Sequence, residues 1–213
     1  MIENNHTNFK FPSKFFITGT DTGIGKTVIS AILAVGLNAD YYKPIQSGLE
    51  EISDTEWMRK KTGLKNNSFF DETYLLTKPL SPHASSKIDG ITIEMSKFKL
   101  PITTNHLIVE GAGGLLVPLN DKDYIIDLIK HFKLPTLLVV RSGLGTINHT
   151  LLSLNSLRDK GIEILGVVMN GNKNQGNKEA IEQYGRVKVI AEIENLEIID
   201  QNSLSGAFNK YFK

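Results

Sequence analysis

The chain has 213 residues, with 24 lysines and arginines against 23 aspartates and glutamates, and it has no cysteine. This length predicts a single domain over residues 1–213 that is large enough to bury a core. The near balance of charge argues against a nucleic-acid partner, and the lack of cysteine excludes disulfides and a thiol nucleophile. No apolar run approaches the roughly 20 residues that a membrane helix needs, and the polar start lacks the apolar centre of a signal peptide. We therefore expect a cytoplasmic protein with no membrane partner, whose residues 1–13 form a flexible extension.

Residues 15–28, FFITGTDTGIGKTV, have the pattern of a phosphate-binding loop. A short apolar run predicts a strand, the glycines predict a tight loop, and Gly-Lys-Thr stands where a helix begins. Lys26 would then reach the β- and γ-phosphates of a nucleotide, and the Thr27 hydroxyl would bind Mg²⁺. The first glycine of the strict pattern should stand at Thr20 and stands at Gly19 instead, so a surface loop with chance glycines is the alternative. The combination of strand, loop and helix favours a nucleotide-phosphate site.

Apolar strands and helices alternate along the rest of the chain. We predict helices over 27–37, 54–62, 123–132, 147–160, 178–184 and from Ser203 onward, and strands over 39–43, 106–110, 135–141, 164–170 and 187–191. Residues 69–76 suggest a further strand, 80–90 a turn and a short helix, and 91–100 either a strand or a helix. This alternation predicts a doubly wound α/β fold whose mostly parallel sheet has helices on both faces.

Several polar side chains follow the predicted strands, and in such a sheet the loops after successive strands meet at one edge. Lys43 and Ser47 follow the second strand, Asp54 begins a helix, and Glu110 ends a strand before Gly-Ala-Gly-Gly. With Thr27, the two acids would give Mg²⁺ the hard oxygen ligands that it prefers. Three of these residues also have non-functional interpretations. Lys43 could be an exposed lysine, Asp54 an acid that only stabilises the helix dipole, and Glu110 a solvated acid at the end of a strand. A lysine beside the phosphate loop would suit an anionic substrate and a transferring phosphoryl group.

Six segments taken in order resemble the dethiobiotin synthetase family: GTDTGIGKT, YYKPIQSG, ISDTEW, LIVEGAGGLLVPL, GLGTINHTLLS and GVVMN, with an SPH turn at 81–83. The resemblance covers roughly residues 14–172. It implies a P-loop NTPase fold with a doubly wound, mostly parallel seven-stranded sheet, and a homodimer. It also implies that 7,8-diaminopelargonate and CO₂ or bicarbonate are converted to dethiobiotin in biotin biosynthesis. That reaction uses ATP and Mg²⁺, passes through a carbamate and a carbamic–phosphoric anhydride, and releases ADP and phosphate.

The resemblance also assigns roles to residues by matching position. Lys43 and Lys26 would be catalytic, and the Mg²⁺ ligands would be Thr27, Asp54 and Glu110. The nucleotide would be bound by Gly23, Ile24, Gly25, Lys26, Thr27, Val28, Asp54, Glu110, Gly111, Ala112, Gly113 and, at the adenine, Asn170. The substrate would be bound by Thr22, Lys43, Ser47, Leu144, Gly145, Thr146, Ile147 and Asn148, of which the last five would complete the site of the partner subunit.

Two departures from the family pattern and three alternatives stay open. Gly23 replaces an acid that some members carry, and residues 191–195 read AEIEN where the family has Gly-Glu-Ile-Pro, so the base contact and the preference for ATP are undecided.

A ParA- or MinD-like switch ATPase is the main alternative function, although such proteins have a lysine at the position of Asp21. A cobyrinate-type amidoligase would need a cysteine nucleophile in an added domain. An inactive nucleotide-binding module would have no use for both lysines and all three magnesium ligands.

Overall fold

The computed structural model describes residues 9–49 and 52–213, which are built around a seven-stranded sheet. The strands are β1 Lys14–Gly19, β2 Asp40–Tyr42, β3 Ile45–Ser47, β4 Phe69–Phe70, β5 Tyr74–Leu76, β6 Leu107–Gly114, β7 Thr136–Arg141, β8 Ile164–Asn170 and β9 Val189–Ile193. The order in the large sheet is β4-β2-β6-β1-β7-β8-β9, and neighbouring strands run parallel. The predicted doubly wound parallel sheet is therefore confirmed. β3 and β5 pair separately as a small parallel sheet, which the sequence did not predict.

Helices cover both faces of the large sheet. They are α1 Lys26–Leu37, α2 Asp54–Thr62, α3 Pro82–Asp89, α4 Ile125–Phe132, α5 Thr146–Asp159, α6 Gln175–Gly185 and α7 Gln201–Phe212. Successive residues of β1 point to opposite faces: Phe15 and Ile17 pack in the core beneath α1 and α7, and Phe16 packs in the core beneath α4. Within the residues described, none of these helices is long and apolar enough to cross a membrane.

The helix ends agree with the signals in the sequence. Asn38 ends α1 in the left-handed conformation, with φ of 49°, and its N–H donates to the carbonyls of the preceding turn. Ser53 precedes α2 and its hydroxyl accepts from the Glu56 N–H at 3.2 Å. Gly63 ends α2 with φ of 66°, a conformation that glycine adopts without strain.

Three expectations about local structure are wrong. Strand β6 does not end at Glu110 but continues through Gly114, which pairs with Gly19 of β1. A Cβ at Gly114 would lie 3.3 Å from the carbonyl oxygen of Thr20, so the missing side chain lets the two backbones stay this close. Residues 91–100 form neither strand nor regular helix: they are irregular around one 3₁₀ turn, Met95–Lys97. The last two helices begin at Gln175 and Gln201, three and two residues earlier than predicted.

Residues near position 11 pack against the last helix, α7. The extension expected over residues 1–13 lies outside the described residues as far as position 8. Phe11, in contrast, is buried and stacks on Phe15 at 5.3 Å between ring centroids. Its ring also meets Phe212 of α7 edge to face at 5.6 Å. Residues 9–13 are thus attached to the core instead of extending from it.

Candidate active site

A cleft of about 760 Å³ lies at the carboxyl edge of the large sheet, where the sequence places the functional residues. Twelve of the predicted site residues line it: Thr22, Gly23, Gly25, Lys26, Thr27, Val28, Lys43, Ser47, Asp54, Glu110, Ala112 and Gly113. The wall also contains residues that were not predicted to bind a ligand: Gln46, Pro79, Leu80, Ser81, Pro82 and Val117. The two lysines and the three predicted magnesium ligands therefore share one cleft.

The phosphate loop has the backbone that its glycines make possible. Gly23 and Gly25 have φ of 70° and 89°, in the left-handed region that other residues rarely adopt. Gly25 directly precedes α1, so the first N–H groups of that helix open toward the cleft. A Cβ on Gly25 would lie 2.1 Å from Asn170 Nδ2, and that amide donates to the Ile24 carbonyl at 2.9 Å. Asn170 therefore braces the loop from behind.

Lys26 folds back onto the loop that it follows. Its Nζ donates to the carbonyl of Asp21 at 2.8 Å, and the Asp21 carboxylate pairs with Arg141 at the end of β7. Burial lowers the pKa of Lys26 to about 8, against the opposing effect of the Glu110 carboxylate. An arriving phosphate would replace a neutral carbonyl as the partner of this ammonium group.

Lys43 lies between two carboxylates. The side chain is buried, and its Nζ donates to Asp54 Oδ2 and, at 3.2 Å, to Glu110 Oε1. Burial acts to lower the pKa of Lys43, but the charges of Glu110 and Asp54 outweigh it and raise the pKa. Asp54 itself is held by its backbone N–H, which donates to Gln46 Oε1 at 3.3 Å. The alternatives of an exposed lysine and of an aspartate that serves only the helix dipole are both wrong.

Glu110 is fully buried inside β6 and accepts four hydrogen bonds from side chains. Oε1 accepts from Thr27 at 2.9 Å and from Lys43, and Oε2 accepts from Ser30 at 2.7 Å and from Tyr41 at 3.0 Å. Burial, reinforced by the Glu110 charge, raises the pKa of Tyr41, so this hydroxyl stays protonated and donates. The alternative of a solvated acid is wrong.

Sequence reasoning missed Ser30 and Tyr41. Both lie in apolar stretches, TVISAILAVGL and ADYYK, that read as core. The one signal was the spacing: Ser30 stands three residues after Thr27, which places the two hydroxyls on one side of α1.

Other predicted residues lie away from the cleft walls. The Ile24 side chain packs in the core, and Gly111 is buried, where a Cβ would meet the Phe16 ring at 2.8 Å. The segment 144–148 forms the loop and first turn of α5, with Leu144 fully exposed at its tip. Gly145 precedes that helix with φ of 88°. Within the described chain these five residues do not join the other substrate residues.

The donors at the centre of the cleft suit a small hard cation. Among the described residues, no group of three or more His, Cys, Asp or Glu side chains could hold a metal. Thr27, Asp54 and Glu110 nevertheless offer three oxygens, and the two carboxylates already converge on one positive charge, the Lys43 ammonium. Mg²⁺ takes few protein ligands and keeps several waters, so this set fits it.

Known protein families and solved structures show which class of protein has this fold and loop. A family model described as an AAA domain matches residues 13–203. The chain is similar in structure to the septum site-determining protein MinD from Pyrococcus horikoshii, with a TM-score of 0.57 at 13% identity over 93% of this chain and 94% of that one. It is also similar to a ParA family ATPase from Chlorobium tepidum, with a TM-score of 0.55 at 12% identity over 93% and 89% of the two chains. These likenesses concern the fold alone, which with the glycine loop defines a P-loop NTPase.

Proteins with similar sequences show to which family of P-loop NTPases the chain belongs. The chain is 44% identical over 202 residues to the ATP-dependent dethiobiotin synthetase BioD of Christiangramia forsetii, covering 95% of this chain and 97% of that protein. It is 43% identical to BioD of Brucella ovis, covering 94% of each. It is also 44% identical to the biotin biosynthesis bifunctional protein BioCD of Bordetella avium, over 91% of this chain but only 42% of that longer protein. The chain belongs to the family of ATP-dependent dethiobiotin synthetases.

Proposed function

We propose that this chain makes dethiobiotin from 7,8-diaminopelargonate and CO₂, with ATP converted to ADP and phosphate. The observation that carries the proposal is the meeting of Lys26, Lys43, Thr27, Asp54 and Glu110 in one cleft, in a chain that spans nearly the whole length of its BioD relatives. The reaction needs charge stabilisation and alignment, and this cleft offers lysines, backbone amides and oxygen ligands.

The residues near the phosphate loop would bind the nucleotide and its metal. The backbone of residues 23–28 would surround the phosphates, with Ala112 and Gly113 on the facing wall. Thr27, Asp54 and Glu110 would hold Mg²⁺, which when bound would neutralise charge on the β- and γ-phosphates. Asn170 remains a proposed adenine contact on its matching position in the family pattern, at the end of β8.

The two lysines would stabilise the negative charge that the reaction develops. The 7-amino group of the substrate adds to CO₂ and loses a proton to give a carbamate, and a carbamate oxygen attacks the γ-phosphorus while ADP leaves. The 8-amino group then attacks the carbonyl carbon of the carbamic–phosphoric anhydride, which closes the ring and expels phosphate. Lys43 would hold the carbamate and the γ-phosphate in line, and Lys26 would bridge phosphate and carbamate through the same charge-stabilising role.

The substrate site is proposed to need a second copy of the chain. Thr22 and Ser47 line the cleft and would contact the diamine. Residues 144–148 would reach the site of the partner subunit in a homodimer, which is supported by the full exposure of the apolar Leu144 beside the N-terminus of α5. Mixing Lys43→Ala with Leu144→Asp should restore roughly a quarter of native activity if the two substitutions damage different subunits of one site. Mixtures that stay inactive would contradict the shared site.

The decisive experiment measures release of phosphate and the mass of the product with and without the diamine. We expect ATP consumption to depend on both diamine and CO₂ and to yield dethiobiotin. A switch ATPase of the ParA or MinD kind, the alternative function, would hydrolyse ATP regardless of the diamine. Diamine-independent hydrolysis without product would therefore refute the proposal. Action in the cytoplasm stays a prediction.

A further inference from the structure

The carboxylate of Glu110 is divided between two environments. Oε1 faces the Thr27 hydroxyl at 2.9 Å and the Lys43 ammonium at 3.2 Å, both of which line the cleft. Oε2 faces away from them and accepts from Ser30 at 2.7 Å and from Tyr41 at 3.0 Å, two side chains that are fully buried. A carboxylate oxygen has two lone pairs, so both oxygens of Glu110 are fully used. A cation in the cleft would replace the Lys43 ammonium on Oε1, whereas both donors on Oε2 are neutral hydroxyls of fully buried residues.

Two separate elements supply the buried donors. Ser30 belongs to α1, one turn after Thr27, so a single face of this helix contacts both oxygens of Glu110. Tyr41 belongs to β2, the strand next to β6, and pairs there with Ile108, two residues before Glu110 and therefore on the same face of the sheet. A donor from a helix above the sheet and a donor from the neighbouring strand together fix the rotation of the carboxyl group.

We infer that Ser30 and Tyr41 are positioning residues that bind Oε2 of Glu110, so that Glu110 offers only Oε1 to the cation in the cleft. The inference rests on the proposed function and deepens it, because it assigns residues that select the metal. A carboxylate that offers one oxygen suits the octahedral shell of Mg²⁺, whereas the larger Ca²⁺ is often bound by both oxygens of one carboxylate. The pair therefore favours Mg²⁺ over Ca²⁺.

The test removes the donors with little change in volume, in Ser30→Ala, Tyr41→Phe and the double variant. Mn²⁺ replaces Mg²⁺ as a paramagnetic probe, and its binding in the presence of ADP is followed by electron paramagnetic resonance, with Ca²⁺ and Mg²⁺ as competitors. Loss of partners that orient a metal ligand costs about 10- to 100-fold in metal affinity, and we expect a loss in that range for the double variant. We also expect Ca²⁺ to compete better than it does in the native protein.

Tyr42→Phe is the matched control. Tyr42 is the next residue on β2, is nearly as buried and also has a bonded hydroxyl, but its side chain points to the opposite face and contacts Thr73. We expect native metal affinity for this variant, even if its thermal stability falls. A purely structural role for Tyr41 would lower thermal stability and leave the ratio of Ca²⁺ to Mg²⁺ affinity unchanged, which would overturn the inference.

The outcomes separate this inference from the proposed function. If the native protein makes dethiobiotin and the double variant keeps native Mn²⁺ affinity with ADP, the positioning role is refuted and the function stands. If the native protein binds no Mn²⁺ with ADP, the proposed metal site is refuted, and the positioning role is refuted with it. Should the double variant fail to fold, Tyr41→Phe alone decides, because it removes only one oxygen atom.

Discussion

At the scale of single residues, Lys43 occupies the carboxylate oxygens that the proposed cation would bind. A lysine with so little exposure needs compensation, and Asp54 and Glu110 provide it by direct ion pairs. Both carboxylates are also the proposed ligands of Mg²⁺. Binding of the metal would therefore release the Lys43 ammonium from these carboxylates toward the anionic substrate.

This competition predicts the behaviour of Lys43→Ala. Binding of Mg²⁺ and ADP should be kept or strengthened, because two carboxylates lose a competing cation, while dethiobiotin formation should fall by about 10²- to 10³-fold because the reacting oxyanions lose a positioned charge. Calorimetric titration with ADP and single-turnover product analysis measure the two effects. Lys160→Ala is the control, since Lys160 pairs with Asp127 at 2.7 Å in a partly exposed bridge away from the cleft walls. Near-native product formation by Lys43→Ala would remove this residue from the mechanism.

At the scale of elements, the packing of α1 on α7 fixes the helix that begins at the phosphate loop. Gly36 in the last turn of α1 lies under the Phe208 ring, where a Cβ would come within 1.9 Å of the ring atom Cγ. This side chain cannot be added without moving α7 or the ring. Close contact at one end of α1 thus helps to hold its other end at the cleft.

We predict that Gly36→Ala lowers the free energy of unfolding by about 1–3 kcal/mol, because overpacking outweighs the gain in helix propensity. Gly206→Ala is the matched control: Gly206 is exposed in α7, has open space around it, and should gain up to about 1 kcal/mol from the same change. Urea denaturation measures both. Adding Phe208→Leu to Gly36→Ala should recover part of the loss, and a failure to recover any would show that the ring is not the cause.

At the scale of the whole molecule, the parallel sheet was predictable and its strand order was not. Short apolar runs such as 164–170 and 135–141 alternate with helical patterns, which favours buried parallel strands, so the fold class followed from the sequence. The pairing of β3 with β5 was hidden, because Pro44 breaks the first run and the second reads as an isolated strand. The last four residues of β6 were not predicted as strand either, because Gly-Ala-Gly-Gly has the composition of a loop.

For the candidate site too, residues within one continuous motif could be predicted from the sequence, whereas residues joined only by long-range contacts could not. The phosphate loop is one continuous stretch, so its residues could be read directly from the sequence. The contacts of Glu110 join residues 67 to 83 positions apart, and no local pattern reports such a distance. Lys43 and Asp54 were found through the convergence of strand ends, a rule of the fold, whereas Ser30 and Tyr41 look like ordinary core residues.

The contact between Phe11 and Phe212 of α7 leads to a prediction about the cooperativity of unfolding. Phe11 and Phe212 touch in the core, and Phe212 also meets Phe208 of the same helix. Phe11→Ala and Phe212→Ala should each lower the free energy of unfolding by about 3–5 kcal/mol, and the double variant should lose less than the sum because the two rings contact each other. Tyr184→Ala, at an exposed position on α6, is the control and should change it little.

The same variants test whether residues 1–213 form a single domain. If they do, the fluorescence of Trp57 on α2 and the far-ultraviolet circular dichroism of all helices should report one coincident transition, which moves to lower urea in Phe11→Ala without splitting. The physical reason is that the first strand, α1 and α7 share one core, so the aromatic contact cannot be lost while the sheet stays intact. Two separate transitions, with only the circular dichroism shifted by Phe11→Ala, would show that the end of the chain unfolds independently and would contradict a single domain.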